Sequence, residues 1–401
     1  MNMETDDYTR QLMHDIVEKT QRCWNCNFCM SVCPVFKNTG GFYSHGGSGL
    51  TQSLYYTVLW DLLDEGEPKD IQELMHNLYR CTTCNACVNK CEDSSAGIPL
   101  LEIIDRGRKL LIEKAIGPLP AQKKILESIY KRGNPYGRSQ KHRLEWAKET
   151  PGINLKKFPE QEADTLLFVG CATSFDPALH KNIVSLIKIL DSCGIDYCIL
   201  ANEQCSADLA LRLGDEALFE EKSTQNSRDI QETGAKTLIT MSPHDFHAFS
   251  TDYKELADTC QVLHYTEFLD QKIKACPPRL KKTQNKITYH DPCYLSKHHH
   301  VTDAPRNLLQ MTTEVPLLEM TANRRDSTCC GGGGGRIFAE IKEEERLSEM
   351  RVREALATGA SVLATACPWC HIMFAEAVKD LGLEEKIQVK ELAEIMCEAL
   401  Y

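Results

Sequence analysis

The chain of 401 residues lacks the long apolar stretches that a membrane span or an export signal requires. No run of about 18 apolar residues occurs, so we expect no membrane-spanning helix. Residues 1–10 are polar and acidic and have no apolar signal-peptide core. The sequence therefore predicts a protein that is made and kept in the cytoplasm.

The sequence also lacks an excess of positive charge. Its net charge is −11, from 46 basic and 57 acidic residues, which argues against nucleic acid as the main partner. Gly331–Gly335 is a glycine run, but it lacks the G-x-G-x-x-G pattern and the acidic residue about 20 positions further on. We therefore predict no flavin or nicotinamide site. A hydrophobic content of 42% is ordinary for a globular chain of two or three domains.

Cysteine, by contrast, is abundant, with 20 residues. A long chain in a reducing compartment does not need a dense disulfide framework, so these thiols indicate metal or redox chemistry. Eight of them form two groups in the first 100 residues, in the runs CWNCNFCMSVCP and CTTCNACVNKCE. The first group is Cys23, Cys26, Cys29 and Cys33, and the second is Cys81, Cys84, Cys87 and Cys91.

Both groups have the spacing C-x2-C-x2-C-x3-C, which is typical of ferredoxins with two [4Fe–4S] clusters. In those proteins three cysteines of one motif bind one cubane cluster, and the fourth binds the other. Zinc is the weaker alternative, because zinc sites usually use two separated C-x2-C pairs. Glu92 replaces the proline expected after Cys91, which weakens the turn but not the ligand set. The predicted ligands are Cys23, Cys26, Cys29 and Cys91 for the first cubane cluster, and Cys33, Cys81, Cys84 and Cys87 for the second.

The spacing of apolar residues predicts helices around these motifs, over 50–64, 70–79, 100–114 and 120–132. The first domain, residues 1–132, is thus predicted to be a helical ferredoxin-type domain. Residues 133–160 include the turn-forming run Asn-Pro-Tyr-Gly and many charges, so they are predicted to be a linker.

From residue 160 onward, short β-rich runs alternate with helical ones, which predicts βα units with parallel sheets. The segments around the cysteines also recur at offsets of 122 to 125 residues, which indicates an internal repeat. We therefore predict an α+β chain with two related α/β halves, over 161–280 and 281–401. The predicted strands are 165–169, 196–200, 237–241, 286–290, 315–319 and 361–365. The predicted helices are 178–191, 207–233, 304–311, 337–356 and 371–381.

The second half carries five cysteines in or beside the loops that follow predicted strands. The carboxyl ends of strands in an open α/β sheet converge on one crevice, and thiolates favour iron–sulfur centres. Five thiols in that crevice can hold a multi-iron centre. The glycines at 331–335 permit a close backbone approach and can present N–H groups to cluster sulfides. The five cysteines are Cys293, Cys329, Cys330, Cys367 and Cys370.

The motifs HDPCYL, CCG and CPWC, behind two ferredoxin motifs, resemble the family of the D-type subunit of heterodisulfide reductase over residues 20–380. The resemblance implies that the five cysteines of the second half, the CCG cysteines, bind a noncubane [4Fe–4S] cluster. Such a cluster cleaves a disulfide in some members and only relays electrons in others. The implied function is an iron–sulfur electron-transfer subunit with two cubane clusters and one noncubane cluster. That subunit either reduces a disulfide or thiol-type substrate, or acts as a pure relay to a flavoprotein, quinone or cytochrome complex.

The resemblance further implies partners in a multi-subunit redox complex. A flavoprotein, a hydrogenase, a ferredoxin or a membrane cytochrome would supply or accept the electrons. The chain would then meet the membrane only through a partner protein. Whether it is an enzyme in its own right is left open by the sequence.

The first α/β half departs from the family pattern. It keeps Cys171 and Cys205, but Ser206 and Ala207 stand where the second cysteine and the glycine of CCG belong. Ser242 and Asp245 replace the C-x-x-C pair. Two thiolates are too few for a noncubane cluster, so none is predicted there.

For each of three features, the sequence leaves two interpretations open. Cys171 and Cys205 are interpreted as core residues in preference to a metal site completed by His244 or Asp245. The run at residues 298–300, three histidines, is interpreted as a solvated loop in preference to a metal site. His290 and Asp291, just before Cys293, either support the cluster from behind its ligands or form a structural turn.

Overall fold

The N-terminal part of the chain is helical, as its apolar spacing predicts. The computed structural model describes residues 6–94, 96–153, 155–256, 259–275, 278–339, 341 and 345–401. The helices in the first 132 residues are α1 (Asp7–Thr20), α2 (Pro34–Asn38), α3 (Gly47–Leu59), α4 (Leu62–Glu65), α5 (Pro68–Arg80), α6 (Ala86–Asp93), α7 (Leu100–Glu113) and α8 (Pro120–Arg132).

The four helices predicted in this region are confirmed as α3 with α4, α5, α7 and α8. Helix α1 is an addition that the sequence analysis did not predict. Asp6 caps α1 by accepting a hydrogen bond from the Thr9 N–H at 2.7 Å, which satisfies one of the free donors of its first turn. Leu12 and Ile16 lie four residues apart on one face of the helix, and both are buried.

Helices α1, α3, α5 and α7 pack against one another in a helical unit. Gly107 of α7 allows the close approach of α3, because a Cβ there would lie 2.5 Å from Leu54 Cδ1. The unit comprises the chain up to Leu126 and two short later segments, Leu209–Leu218 and Gly331–Leu347. These two segments were not predicted to join the helical part.

The remaining residues form an α/β unit, over Glu127–Asp208, Phe219–Cys330 and Ser348–Tyr401. The strands are β1 (Lys157–Phe158), β2 (Thr165–Phe168), β3 (Ile199–Leu200), β4 (Thr237–Thr240), β5 (Gln261–His264), β6 (Ile287–His290), β7 (Val362–Thr365) and β8 (Gln388–Glu391). The helices from residue 133 onward are α9 (Glu145–Lys148), α10 (Cys171–Phe175), α11 (His180–Ser192), α12 (Asp208–Leu213), α13 (Glu216–Glu232), α14 (Pro243–His247), α15 (Tyr265–Ala275), α16 (Cys293–Ser296), α17 (Asp303–Thr312), α18 (Leu347–Ala357), α19 (Pro368–Asp380) and α20 (Leu392–Glu398).

Two three-stranded parallel sheets have the same strand order, β2-β4-β5 and β6-β7-β8. In the first, Thr165 pairs with Thr237, and in the second, Ile287 pairs with Val362. Every residue of β2, β6 and β7 is buried, which is typical of parallel strands covered on both faces. The prediction of two related α/β halves with parallel sheets is confirmed.

The two halves also match at a strained backbone position. Ala207 has φ of 57°, and Gly331, which follows the Cys-Cys pair at the corresponding place, has φ of 94°. Positive φ is uncommon outside glycine. The repeated loop has therefore kept its conformation in the first half although it has lost the glycine.

Several predicted elements differ in the structure. The strand over 315–319 is wrong: these residues have no regular secondary structure, although the Leu318 N–H bonds to the Ile287 carbonyl. The helix over 207–233 is broken into α12 and α13 at Gly214, whose φ is 99°. The helix over 337–356 begins only at Leu347, after a short 3-10 helix at Arg336–Phe338. Strands β5 and β8 were missed because two of the four residues of β5 and three of the four residues of β8 are polar.

Candidate iron–sulfur sites

The two ferredoxin-type loops of the helical unit share one backbone conformation. In each loop, the residue before and the residue after the second cysteine of the motif have positive φ. These residues are Asn25 and Asn27 in the first loop, at 52° and 63°, and Thr83 and Asn85 in the second, at 53° and 65°. Asparagine tolerates the left-handed region, which accounts for three of the four positions. The chain therefore wraps twice in the same way around the place where a cluster would lie.

Exposure distinguishes the two motifs. In the first, Cys26 is exposed and Cys23 and Cys33 are half-buried, with Trp24 beside them at 79% exposure. In the second, Cys84, Cys87 and Cys91 are buried. The first cluster site is therefore the one nearer to the surface of its unit.

The thiols associate across the two motifs. Burial raises the pKa of the Cys29 thiol, Ser48 lowers it by hydrogen bonding, and the nearby sulfurs of Cys23 and Cys91 raise it. For Cys33, burial also raises the pKa, and the neighbouring sulfurs are Cys84 and Cys81. Each motif thus sends its fourth cysteine to the other motif, which supports the predicted ligand exchange.

A small, partly open pocket lies at the second cluster site. Its lining includes all four cysteines predicted for that cluster and none of those predicted for the first. Pro34, Gly47, Leu50 and Ile104 complete much of the wall with apolar or small groups. The thiolate donor set and the mainly apolar enclosure fit a [4Fe–4S] cluster. The predicted ligands in this wall are Cys33, Cys81, Cys84 and Cys87.

Gly47, at the first turn of α3, separates the two sites. A Cβ on Gly47 would lie 3.0 Å from the Cys87 Cβ and 3.6 Å from the Cys29 Sγ. The next residue, Ser48, bonds to Cys29 through its backbone and its side chain. The sequence analysis missed both residues, although the run Gly46-Gly47-Ser48-Gly49 before an apolar helix was a signal of close packing.

A buried arginine holds the second loop. The Nη2 of Arg108 donates to the carbonyl oxygens of Leu78 at 2.7 Å and Cys81 at 2.8 Å, and Nη1 donates to that of Arg212 at 2.7 Å. Its side chain is fully buried, and its charge lowers the pKa of Cys81 against the larger opposing effect of burial. Arg108 was missed, yet it follows Ile104 by four residues and therefore lies on the buried stripe of α7.

The glycine run packs on the same loop. A Cβ on Gly333 would lie 2.2 Å from the Thr82 carbonyl oxygen, and one on Gly334 would lie 2.4 Å from that of Cys81. The close backbone approach that the glycines permit is therefore made to the second ferredoxin loop, within the helical unit. Arg336, which follows the run, donates to the Arg80 carbonyl oxygen at 3.0 Å.

In the α/β unit, the cysteines of the second half lie beyond neighbouring strands. Cys293 begins α16 after β6, and Cys367 is the N-cap of α19 after β7. The Sγ atoms of Cys330 and Cys370 are 3.4 Å apart. Burial raises the pKa of Cys370 well above its usual value, and hydrogen bonds with Cys330 and Cys367 add to this. The structure thus brings Cys330, Cys367 and Cys370 together, and it buries Cys293 and Cys329 as well.

Unpartnered polar groups lie on β6, which leads into Cys293, and on α18. The Nδ1 of His290 accepts from Arg351 Nε at 3.2 Å, and burial lowers the His290 pKa, so the neutral ring carries its proton on Nε2. Among the described residues, that Nε2, the Tyr289 hydroxyl and Arg351 Nη2 have no hydrogen-bond partner. Tyr289 and Arg351 both lie close enough to Cys370 to interact with its charge. Buried donors without acceptors fit a site that receives an electron-rich group such as a sulfide-bearing cluster.

Asp291 ties the loops of this site together. Its carboxylate binds Arg306 through both oxygens, at 2.6 and 2.8 Å, and accepts the Arg324 N–H at 2.7 Å. The Ser327 hydroxyl donates to the Asp291 carbonyl oxygen at 2.8 Å. Asp291 is fully buried, so it fixes the segment that leads into Cys329 against the segment that leads into Cys293. Of the two interpretations, His290 bonds to Arg351, whose charge interacts with Cys370, and Asp291 organises the turn.

The first half has a different arrangement at the corresponding place. The thiol of Cys205 donates a hydrogen bond to the Cys171 sulfur, and Arg143 Nη2 lies 3.2 Å from that sulfur. The Ser206 hydroxyl bonds to Asp245, and His244 Nδ1 lies 3.0 Å from an oxygen of Asp208. Asp245 therefore faces the pair, whereas His244 is engaged with a carboxylate.

The histidine run is not a solvated loop, and that interpretation is wrong for two of its three residues. His299 Nε2 lies 2.9 Å from His247 Nδ1, and His298 stacks on Tyr294 with ring centres 4.2 Å apart. Both residues are half-buried, and only His300 is exposed. The run packs as part of an aromatic cluster.

Two family models match the chain. One, described as a cysteine-rich domain, matches residues 165–249 and again residues 287–375. The other, a 4Fe-4S dicluster domain, matches residues 19–94. The D-type subunit of the dihydromethanophenazine:CoB--CoM heterodisulfide reductase of Methanosarcina barkeri is 30% identical over 94% of this chain and 93% of its own length.

The chain belongs to the family of this D-type heterodisulfide reductase subunit. It is an iron–sulfur protein of the electron-transfer type, as the resemblance of its motifs implied. Two other relatives are a probable iron-sulfur-binding oxidoreductase of Bacillus subtilis and an EtfAB:quinone oxidoreductase of Syntrophomonas wolfei, 31% and 30% identical over 80% of this chain. The chain spans about half the length of these two, 46% of each. Among the described residues, no helix is long and apolar enough to cross a membrane.

Proposed function

We propose that this chain passes electrons between two cubane [4Fe–4S] clusters of the helical unit and one noncubane [4Fe–4S] cluster of the α/β unit. The two cubane clusters take the exchanged ligand sets described above. The noncubane cluster takes Cys293, Cys329, Cys330, Cys367 and Cys370. The chain acts as a subunit of a redox complex, with a flavoprotein, hydrogenase, ferredoxin or membrane cytochrome as its source or acceptor of electrons.

One observation carries the assignment in the α/β unit. Three thiols converge in a fully buried site, with the Cys330 and Cys370 sulfurs 3.4 Å apart, beside donors that have no acceptor among the described residues. Buried thiols that repel one another as thiolates are stabilised when a cationic iron centre binds them. The same site in the first half holds only two thiols.

The reaction we propose at the noncubane cluster is reduction of a disulfide. Two electrons and two protons convert one disulfide into two thiols, and the electrons arrive singly through the cubane clusters. The Tyr289 hydroxyl, which interacts with Cys370, and the Nε2–H of the next residue, His290, are buried polar hydrogens without an acceptor among the described residues. The Methanosarcina relative matches this chain over nearly the whole length of both proteins, and its name states a heterodisulfide as substrate.

Iron and sulfide analysis of anaerobically purified protein tests the cluster count. We expect about 12 iron atoms per chain, four for each of three [4Fe–4S] centres. About 16 would mean that the first half binds a cluster as well, and about eight that the noncubane cluster is absent. Cys330→Ser should remove one paramagnetic signal and leave the two ferredoxin signals, because serine is a harder ligand than thiolate. Cys397→Ser, at a half-buried cysteine outside the site, is the matched control.

The second candidate function is a pure relay, which the altered first half favours. There, Arg143 occupies the surroundings of Cys171, and Ser206 and Asp245 replace thiols, so one half of the repeat cannot offer the same cluster to a substrate. A reduced viologen dye with small disulfides as acceptors distinguishes the two functions. Disulfide turnover that Cys330→Ser abolishes supports the reductase. Electron delivery to a co-purified partner without disulfide turnover supports the relay.

A further inference from the structure

Two buried cysteines in the first α/β half form a hydrogen-bonded pair that no assigned cluster uses. Cys171 is the first residue of α10, and Cys205 lies in the loop before α12. The Cys205 thiol donates to the Cys171 sulfur, and both side chains are buried. Two thiols in hydrogen-bond contact are placed to form a disulfide with little movement.

The surroundings favour a thiolate at Cys171. Arg143 Nη2 donates to its sulfur at 3.2 Å, and Nη1 of the same guanidinium binds Glu203 at 2.6 Å. Glu203 is held in turn by the backbone N–H groups of Val169 and Gly170, at 2.7 and 3.0 Å. Burial opposes ionisation, but the hydrogen bond from Cys205 and the charge of Arg143 together lower the Cys171 pKa. A thiolate beside a fixed cation is the reactive form of cysteine.

The same contacts speak against a metal ion. A guanidinium within hydrogen-bond distance of a thiolate repels a second cation at that sulfur. The ligand atoms of Cys171, Cys205 and Asp245, all described, do not come within 4.8 Å of one another as a group. The Asp245 carboxyl instead accepts from the Ser206 hydroxyl and lies near Cys205.

Aromatic contacts join this pair to the site of the second half. Helix α10 carries Cys171 at one end and Phe175 at the other. Phe175 lies beside Tyr136, with ring centres 6.1 Å apart, and Tyr136 stacks on Trp369 at 6.4 Å. Trp369 lies between Cys367 and Cys370 in the chain. On the other side, His244 stacks at 3.9 Å on Tyr294, which follows Cys293.

We infer that Cys171 and Cys205 are a two-electron dithiol–disulfide centre that exchanges electrons with the iron–sulfur clusters of the same chain. In the oxidation, the Cys171 thiolate and the Cys205 thiol form one S–S bond and release two electrons and one proton. The electrons leave singly to the clusters, which are the oxidant, and the proton is released to the solvent. Reduction reverses each step. The inference rests on the proposed function, because the clusters supply and accept the electrons.

The test poises the anaerobic holoprotein at a series of potentials with mediator dyes. Each sample is quenched with a thiol-alkylating reagent in denaturant, and mass spectrometry measures the fraction of Cys171–Cys205 disulfide. Cluster spectra are recorded on the same samples. We expect the disulfide fraction to change from full to absent with the slope of a two-electron couple. Cys171→Ser and Cys205→Ser should each lose this transition and keep the cluster signals, whereas Cys198→Ser, at another buried cysteine, should keep both.

Coupling to the clusters is tested by rapid reduction with dithionite. The disulfide should be reduced after the clusters in the wild-type protein, and this reduction should be lost in Cys330→Ser. A dithiol that never oxidises while the clusters titrate normally would overturn the inference and leave the proposed function intact. Disulfide reduction at an unchanged rate in Cys330→Ser would also overturn it, as would zinc bound in proportion to the two cysteines. Absence of the cluster signals in the wild-type protein would instead refute the proposed function.

Discussion

The Nη2 atom of Arg108 lies 2.8 Å from the carbonyl oxygen of Cys81, the first cysteine of the second ferredoxin motif. The guanidinium is fully buried and also binds two further carbonyl oxygens, so a fixed positive charge is held beside the proposed second cubane cluster. Reduction adds a negative charge to a cluster, and a nearby cation stabilises the reduced form. The potential of this cluster is therefore coupled to one side chain of α7.

Arg108→Gln should lower the midpoint potential of the cluster bound by the second motif. It should also cost roughly 3 kcal/mol of stability, since buried carbonyl oxygens lose charged donors. Redox titration followed by electron paramagnetic resonance measures the potential, and urea denaturation measures the stability. Arg106→Gln is the matched control, because Arg106 lies on the same helix but pairs with Asp15 near the surface. Equal shifts in both variants would show that general charge, and not the position of Arg108, sets the potential.

The exchange of ligands between the two motifs gives a second prediction. The sulfurs near Cys29 include Cys91, and those near Cys33 include Cys84 and Cys81. Cys91→Ala should therefore damage the first cluster and spare the second, and Cys33→Ala should do the reverse. Electron paramagnetic resonance on the two variants separates the signals. If each variant lost the cluster nearest to it in the sequence, the ligand sets would have to be redrawn without exchange.

Much of the fold follows from patterns that are local in the sequence. The helices around the ferredoxin motifs depend on apolar spacing, and the fully buried strands β2 and β7 are continuous apolar or β-branched runs. Strand β6 begins with two β-branched residues and ends with Tyr289 and His290. Strands β5 and β8 could not be found in this way, because Gln261 and Gln388 begin edge strands whose pairing comes from the neighbouring strand. Predictions fail here where a distant partner, and not the segment itself, decides the conformation.

The candidate iron–sulfur sites also combine features that are local in the sequence with features that depend on distant residues. Motif spacing is enough to propose the eight ferredoxin cysteines, because a cluster needs thiols at short, regular intervals. The five CCG cysteines are proposed from their places after predicted strands and from the family resemblance. The residues that hold these cysteines in place come from elsewhere in the chain. Gly333 meets Thr82 across about 250 residues of sequence, and Asp291 meets Arg324 across 33. Nothing in their local sequence identifies these partners, so only the three-dimensional structure reveals them.

Asp291 provides a third prediction, at the noncubane site. Asp291→Asn removes the charge that binds both nitrogens of Arg306, while the size of the side chain is kept. Breaking one partner of a buried ion pair costs about 3–5 kcal/mol, so the variant should be clearly less stable. The loop before Cys329 should loosen, and the noncubane signal should weaken or broaden with the ferredoxin signals unchanged.

The control for this variant is Asp303→Asn. Asp303 pairs with Arg324 in the same region, but its side chain is 75% exposed, and exposed pairs contribute only about 0–1 kcal/mol. Denaturation and spectra of the two variants should therefore differ sharply. Equal and small losses of stability would mean that Arg306 and Glu319 hold the loop without Asp291.

The last prediction concerns pH. Burial raises the pKa of Asp245 to about 8, and the nearby Cys171 charge adds to this while the Ser206 hydrogen bond opposes it. The unfolded chain releases this proton near pH 4, so between about pH 4 and pH 8 the folded state holds one more proton than the unfolded state. The free energy of unfolding therefore falls as the pH rises through this window, by up to about 1.4 kcal/mol per pH unit.

Asp245→Asn cannot ionise and should not show this loss, so its stability relative to the wild-type protein should increase steadily from about pH 5 to pH 8. Anaerobic urea denaturation at several pH values measures the difference, with Asp196→Asn, at an exposed carboxylate, as the control. A difference between Asp245→Asn and wild type that does not vary with pH would mean that Asp245 is already ionised in the folded protein, and that the carboxyl beside Cys205 is an ordinary acid.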